Sequence, residues 1–147
     1  MNKNSIKNIA TEVINLEIDA LKTLKKSINK NFDKAVNAIV NCQSKIILCG
    51  VGKSGLIAAK IASTLSSVGS PAFSLSANDC LHGDLGSITR KDILILISNS
   101  GKSEEIIPII KFANRNKIKL IGIVSKKNSF LYKGSDIKIL LPEVKES

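Results

Sequence analysis

Ile46-Ile47-Leu48-Cys49-Gly50-Val51-Gly52-Lys53-Ser54-Gly55 decides the fold, and Ile93-Leu94-Ile95-Leu96-Ile97-Ser98-Asn99-Ser100-Gly101 repeats its grammar. Each is a short apolar run, rich in β-branched residues, that stops abruptly at a turn of Gly and Ser. Each turn is followed by a helical pattern. A strand, a tight turn and a helix N-terminus in that order predict the repeating unit of a parallel α/β sheet. The runs are continuously apolar rather than alternating, as expected of strands buried on both faces. Such turns present backbone N–H groups and the positive end of a helix dipole, which suits an anion such as phosphate. They also carry the hydroxyls of Ser54, Ser98, Ser100 and Ser103 and the ammonium of Lys53. Two anion-friendly turns at the same end of one sheet predict a pocket.

Outward from these units the spacing predicts a long amphipathic helix over 3–29, with Ile6, Ile9, Val13, Leu16, Ala20 and Leu24 at intervals of three and four. Ile14, Ile18, Leu21 and Ile28 widen its apolar face, which requires a cover: either the domain itself or a second subunit. A second helix is predicted over 32–41. The strands are expected at 45–49, 72–76, 92–98, 120–125 and 137–141, and helices at 54–68, 104–114 and 129–134. Gly69-Ser70-Pro71 stops the first of these three helices. Residues 77–86 read as a polar connection holding Asp79, His82, Gly83 and Asp84. The last strand has no helix after it, so one flank of the sheet is expected to be thinly covered or covered by another subunit.

Composition narrows the function classes. The chain has 147 residues, enough for one domain with a core of its own. No apolar run is long enough to span a bilayer, and Glu12, Glu17 and Asp19 interrupt any signal-peptide character at the N-terminus. The expected location is cytoplasmic, with no membrane association. The three cysteines, Cys42, Cys49 and Cys80, are too scattered for a disulfide framework and read as buried or half-buried thiols. A single His excludes a zinc site built on several imidazoles. The net charge of +10 comes from lysines spread along the whole chain, with Arg only at Arg90 and Arg115. Without a basic cluster or aromatic interleaving, a nucleic-acid partner is not expected.

The turn motifs admit three readings. Gly50-Val51-Gly52-Lys53-Ser54-Gly55 matches the dinucleotide fingerprint in its proper context, with Asp79 near the place of the ribose-binding acid. Lys53 and Ser54, however, put a charge and a hydroxyl where dinucleotide loops stay bare. Gly52-Lys53-Ser54 resembles the tail of a nucleotide-triphosphate loop, but that pattern wants Gly where the chain has Ile47. Ser98-Asn99-Ser100-Gly101-Lys102-Ser103-Glu104-Glu105 crowds three hydroxyls and an amide onto one strand-to-helix turn, which favours a phosphomonoester. His82-Gly83-Asp84-Leu85-Gly86 places the single imidazole in a Gly-flanked loop at the carboxyl end of a strand, where open α/β sheets bind ligands.

Gly-Val-Gly-Lys-Ser-Gly at 50–55, His-Gly-Asp-Leu-Gly at 82–86, Ser-Asn-Ser-Gly-x-Ser-x-Glu at 98–105 and Lys145-Glu146 after the last strand together resemble the sugar isomerase (SIS) domain family. Within it they are most similar to the D-arabinose 5-phosphate isomerases of lipopolysaccharide (Kdo) biosynthesis. The resemblance implies a five-stranded, doubly wound parallel sheet of flavodoxin-like type. It implies N-terminal helices packing on the core over 1–43 and an SIS phosphosugar-binding domain over 44–147, without the helices that usually follow and without CBS domains. It implies interconversion of D-ribulose 5-phosphate and D-arabinose 5-phosphate with no metal and no cofactor, in a homo-oligomer, a dimer or a tetramer. Lys53, Glu105, Glu146 and His82 would be catalytic. Ser54, Ser98, Asn99, Ser100 and Ser103 would hold the sugar phosphate, with Gly52, Gly83 and Asp84 in the substrate loops. Lys102 stands where the family commonly has an acid. The missing C-terminal part sets a second expectation beside the first: a phosphosugar-binding module or regulator that has kept the pocket and lost turnover.

Overall fold

The computed structural model describes residues 3–144. Two helices, α1 (Lys3–Ser27) and α2 (Lys30–Val40), precede the sheet. Then follow β1 (Ile46–Gly50), α3 (Lys53–Ser67), β2 (Ala72–Ser76), α4 (Ala77–Leu81), a 3-10 turn (Asp84–Ser87) and β3 (Ile93–Ser98). The chain continues with α5 (Ile106–Arg115), β4 (Lys119–Val124), α6 (Phe130–Gly134) and β5 (Ile137–Leu140). The sheet is parallel throughout, in the order β2-β1-β3-β4-β5. That order is the flavodoxin-like doubly wound one, whose direction of winding reverses between β1 and β3.

Why these strands are central follows from their side chains. β1 and β3 are buried at every position. Ile47, Cys49, Leu94, Leu96, Leu120 and Val124 point to one face and pack under α4, α5 and α6. Ile46, Leu48, Ile93, Ile95, Ile97 and Ile121 point to the other and pack under α2 and α3. Truncating one of the fully buried members, such as Leu94 or Leu96, to Ala removes about 2–5 kcal/mol of stability. The outer strands are less covered. β2 is an edge strand with Phe73 and Ser74 exposed, and β5 is half-buried along its whole length. On β5 the ammonium of Lys138 lies 5.5 Å from the centre of the Tyr132 ring, so a charged side chain and an aromatic cover that flank.

The amino ends of the strands are tied by Asp92. This carboxylate is buried and takes the Lys45 ammonium at 2.9 Å, the Thr89 amide at 2.7 Å and the Thr89 hydroxyl at 3.0 Å. Burial alone would raise its pKa. Hydrogen bonds from Ser44, Thr89 and Lys45 outweigh that and hold it at about 2.

Most element ends fall within one or two residues of the sequence expectation, and two differences bear on the site. The polar connection over 77–86 contains a helical turn, α4, capped by the Ser76 hydroxyl, which accepts from the Asn78 amide. Ala77 and Cys80 face inward from it. Helix α5 begins at Ile106 rather than at 104, because Ser103 and Glu104 close a tighter turn onto the amides of Ile106 and Ile107. Helix α1 runs out from the domain. Ile6, Ile9, Val13, Ile14, Leu16, Ile18 and Leu21 are exposed, and over residues 5–27 only Ala20, Leu24 and Ser27 are half-buried, where the helix meets the rest of the chain.

Candidate functional site

The two turns that organise the sequence lie side by side. Gly50 of β1 pairs in register with Ile97 of β3, so the residues after each strand emerge next to one another at the carboxyl edge. The turns then part, α3 passing to one face and α5 to the other. This is the crevice in which an open α/β sheet accommodates a ligand.

The first turn is made tight by its glycines. A Cβ on Gly50 would stand 2.7 Å from the backbone carbon of Ser54, and one on Gly55 would stand 2.9 Å from the Gly50 oxygen. Strand end and helix start therefore touch backbone to backbone. Gly52, the cap residue of α3, has φ +56°, a conformation costly for residues with a Cβ. Its cap position has no side-chain hydrogen bond, so the first amides of α3 are not capped by a side chain of that residue. Lys53, the first residue of α3, is exposed, and Ser54 is half-buried beside it.

The second turn is braced from within and from behind. The Ser98 hydroxyl is buried and accepts from the Gly101 amide at 3.0 Å. The Ser100 hydroxyl accepts from the Lys102 amide at 3.3 Å. Gly101 has φ +62° and is buried against Ser129 and Val124, where a Cβ has no room. Its carbonyl accepts from the Leu131 amide at 3.1 Å, and the Asn99 carbonyl accepts from the Ser125 amide at 3.1 Å. The loop between β4 and α6 is thus the scaffold of the serine turn. Asn99 and Ser100 are exposed at its tip, and Ser103 and Glu105 are half-buried behind them.

His82 ends α4, and its amide donates to the Asp79 carbonyl at 2.9 Å. Gly83 follows with φ +126° and Asp84 opens the 3-10 turn. The three are exposed. Helix α4 packs with Ile106 and Ile109 of α5 in one apolar cluster, which places the His82 loop on the same face of the sheet as α5. Asp79, the acid that a dinucleotide site would need after β2, lies inside α4. Glu146 lies outside the described residues, and so does Lys145.

Sequence reasoning missed the contribution of the segments after β4 and β5. A hollow of about 280 Å³ opens beside the serine turn, lined by Asn99, Ser125, Lys126, Leu141, Pro142 and Glu143 among others. Lys126 pairs with Glu143 at 2.7 Å across its mouth, joining the end of β4 to the segment after β5. Both side chains are well exposed, so this pair adds little stability. Ser129 is fully buried and caps α6 by accepting from the Tyr132 amide at 3.2 Å. Its cap signature is visible in sequence, but its contact with Gly101 is not. Among the described residues no group of three or more His, Cys, Asp or Glu side chains is arranged to hold a metal ion, and no helix is long and apolar enough to cross a membrane.

Residues 39–147 match the family model of the SIS domain. Over its full 147 residues the chain is 41% identical to an uncharacterised protein of Rickettsia prowazekii and covers 46% of it. It is 42% identical to arabinose 5-phosphate isomerase KdsD of Yersinia pestis over 130 residues, 88% of this chain and 40% of that protein. It therefore spans less than half the length of the curated relatives it matches. Among solved structures, an Escherichia coli protein in complex with arabinose 5-phosphate superposes with a TM-score of 0.92 at 32% identity, covering 100% of this chain and 78% of that one. A sugar-phosphate isomerase candidate from Listeria monocytogenes superposes at 0.94 with 30% identity, covering 100% of this chain and 77% of that one.

Proposed function

We propose, from the premise that this chain belongs to the SIS-domain family, that its crevice binds a pentose 5-phosphate and interconverts D-ribulose 5-phosphate and D-arabinose 5-phosphate. The observation that carries the reading is the pairing of β1 with β3, which sets the Gly50–Ser54 and Ser98–Ser103 turns against each other. Together they offer amides, hydroxyls and an ammonium to one dianion. The identity to arabinose 5-phosphate isomerases and the superposition on a complex with that sugar phosphate support the same substrate.

The reaction moves a hydrogen between C1 and C2 through an enediol. In the ketose, a base takes the proton from C1 while the C2 carbonyl oxygen gathers negative charge. The proton is then returned to C2, and the C1 hydroxyl becomes the aldehyde. The chemistry needs a carboxylate or imidazole for proton transfer and a cation at the developing oxyanion. Lys53 supplies the cation from the first residue of α3. Ser54, Ser98, Asn99, Ser100 and Ser103 fix the phosphate, with Gly52 giving the turn its shape. Glu105 and Glu146 share proton transfer, and His82, with Gly83 and Asp84, clamps sugar hydroxyls or assists as acid and base. No resident metal or cofactor takes part. The assembled form is a homo-oligomer, with the apolar stripe of α1 at the contact.

The test is proton NMR of D-arabinose 5-phosphate in deuterium oxide with the 147-residue chain. Loss of the C2 proton signal and appearance of the ketose are expected, and a Lys53→Met variant with unchanged circular dichroism is expected to abolish both. Turnover equal to wild type in that variant removes Lys53 from the mechanism. Binding of the sugar phosphate with no exchange in the wild type overturns the enzymatic reading and leaves a phosphosugar-binding module.

A further inference from the structure

The segment after β4 ties the serine turn to the segment after β5. The Ser125 amide donates to the Asn99 carbonyl at 3.1 Å, and the Leu141 amide donates to the Val124 carbonyl at 2.9 Å. The ends of β3, β4 and β5 are thereby held side by side. Lys126 follows Ser125, and its ammonium reaches the Glu143 carboxylate at 2.7 Å. Asn99, Ser125, Lys126 and Glu143 line one hollow of about 280 Å³. An ion pair thus stands beside the turn that resembles a phosphate cradle.

That turn is short of positive charge. Residues 98–105 carry one ammonium, Lys102, against two carboxylates, Glu104 and Glu105. The Ser98 and Ser100 hydroxyls already accept from amides of the turn itself, at 3.0 and 3.3 Å. Lys53 comes from the neighbouring turn, and the reaction also calls on it at the developing oxyanion. One ammonium shared between a phosphate dianion and an oxyanion leaves charge unmatched, so the phosphate needs a cation from another element.

We propose that Lys126 is an anion-binding residue of the crevice and that Glu143 holds its ammonium until a ligand arrives: the incoming phosphate group displaces the Glu143 carboxylate and takes the ammonium. The seat of that phosphate at the serine turn rests on the functional reading above. Both side chains are well exposed, 49% for Lys126 and 66% for Glu143, so parting them costs little. A phosphomonoester carries about two negative charges and three acceptor oxygens near neutral pH, more than the single charge of a carboxylate. The lysine stem is flexible and its donors rotate, so the ammonium turns from one acceptor to the other while the backbone stays where the Ser125–Asn99 bond fixes it. Glu143 is then a built-in competitor, and removing it strengthens anion binding only as long as Lys126 is present.

The experiment titrates inorganic phosphate and D-arabinose 5-phosphate into the folded chain by calorimetry. Lys126→Ala is expected to weaken both about tenfold. Glu143→Gln is expected to tighten both about threefold. Lys127→Ala removes the same charge from the next exposed position, which is not in the lining of the hollow, and is expected to bind like the wild type. In a Lys126→Ala background, Glu143→Gln is expected to add nothing. Tightening there as large as in the wild type shows plain charge repulsion and overturns the exchange. A Glu143→Gln variant that binds like the wild type overturns it as well, as does a loss in Lys127→Ala equal to that in Lys126→Ala. By NMR, saturation with inorganic phosphate is expected to move the Glu143 carboxyl resonance to its position in the Lys126→Ala variant, and a resonance that does not move counts against the proposal in the same way. If the chain binds inorganic phosphate but not D-arabinose 5-phosphate, the functional reading fails, and the phosphate series still decides the role of Lys126. Binding of neither overturns both.

Discussion

The Gly101 amide donates to the Ser98 hydroxyl over 3.0 Å, inside the turn that joins β3 to α5. One of the three hydroxyls that make this turn resemble a phosphate cradle is therefore already holding the cradle in shape. Its oxygen accepts from the chain, which leaves its O–H free to donate to a ligand. Ser98→Ala leaves the buried Gly101 amide without that acceptor. A stability loss of about 1–3 kcal/mol is expected in urea unfolding, together with a clear loss of sugar-phosphate affinity in calorimetry. Ser100→Ala, at an exposed position with a longer contact to Lys102, is expected to reduce affinity with little change in unfolding. Equal stability effects at the two positions would contradict this division of roles.

The pair also marks the limit of what the sequence makes legible. The strand-turn-helix units at β1 and β3 are visible because continuous apolar runs and Gly-rich turns are local signals. That Ser98 braces rather than only binds depends on Gly101 folding back at φ +62° against Ser129, a contact across 28 residues. The helical turn α4 is hidden for another reason. With only Ala77 and Cys80 facing inward it is too short to show a period, and the Ser76 cap is its one local trace. The motifs single out Lys53, His82 and Glu105, and in the fold these residues come after the carboxyl ends of β1, β2 and β3.

Asp92 gives a prediction at the opposite end of the sheet. Its carboxyl is held at about 2, against an ordinary value of 3.8, by donors from Ser44, Thr89 and Lys45. A carboxyl lowered by folding stabilises the native state at every pH above its unfolded value. That contribution drains away as pH falls through the interval from 3.8 down to about 2. The shift corresponds to about 2 kcal/mol. Asp92→Asn is expected to lower stability at neutral pH by about that amount and to flatten the acid limb of the stability profile between these two pH values. The measurement is urea unfolding across pH. A variant whose acid limb runs parallel to that of the wild type shows that Asp92 is not the titrating group. Because Asp92 ties the amino ends of β1 and β3, sugar-phosphate affinity of the folded variant is expected to stay unchanged.

Helix α1 carries the last prediction. Its 25 residues extend about 37 Å, and Ile6, Ile9, Val13 and Leu16 form a stripe that stays exposed although its composition is that of a buried face. In its last turns, Leu24 lines one hollow with Phe32, Ile139 and Leu141. A helix of this kind gains little from its own domain, since most of its apolar area remains in water. A second copy of the chain offers the same stripe, and a two-fold contact buries both at once. Light scattering at micromolar concentration is expected to return a dimer or a tetramer. Replacing Ile9, Val13 and Leu16 together with Ser is expected to return a monomer. The unfolding transition of the sheet should persist in that variant, because none of these three side chains belongs to the apolar clusters that pack on it. A monomeric wild type would mean that the stripe is covered in some other way, and the subunit contact would have to be sought elsewhere on the chain.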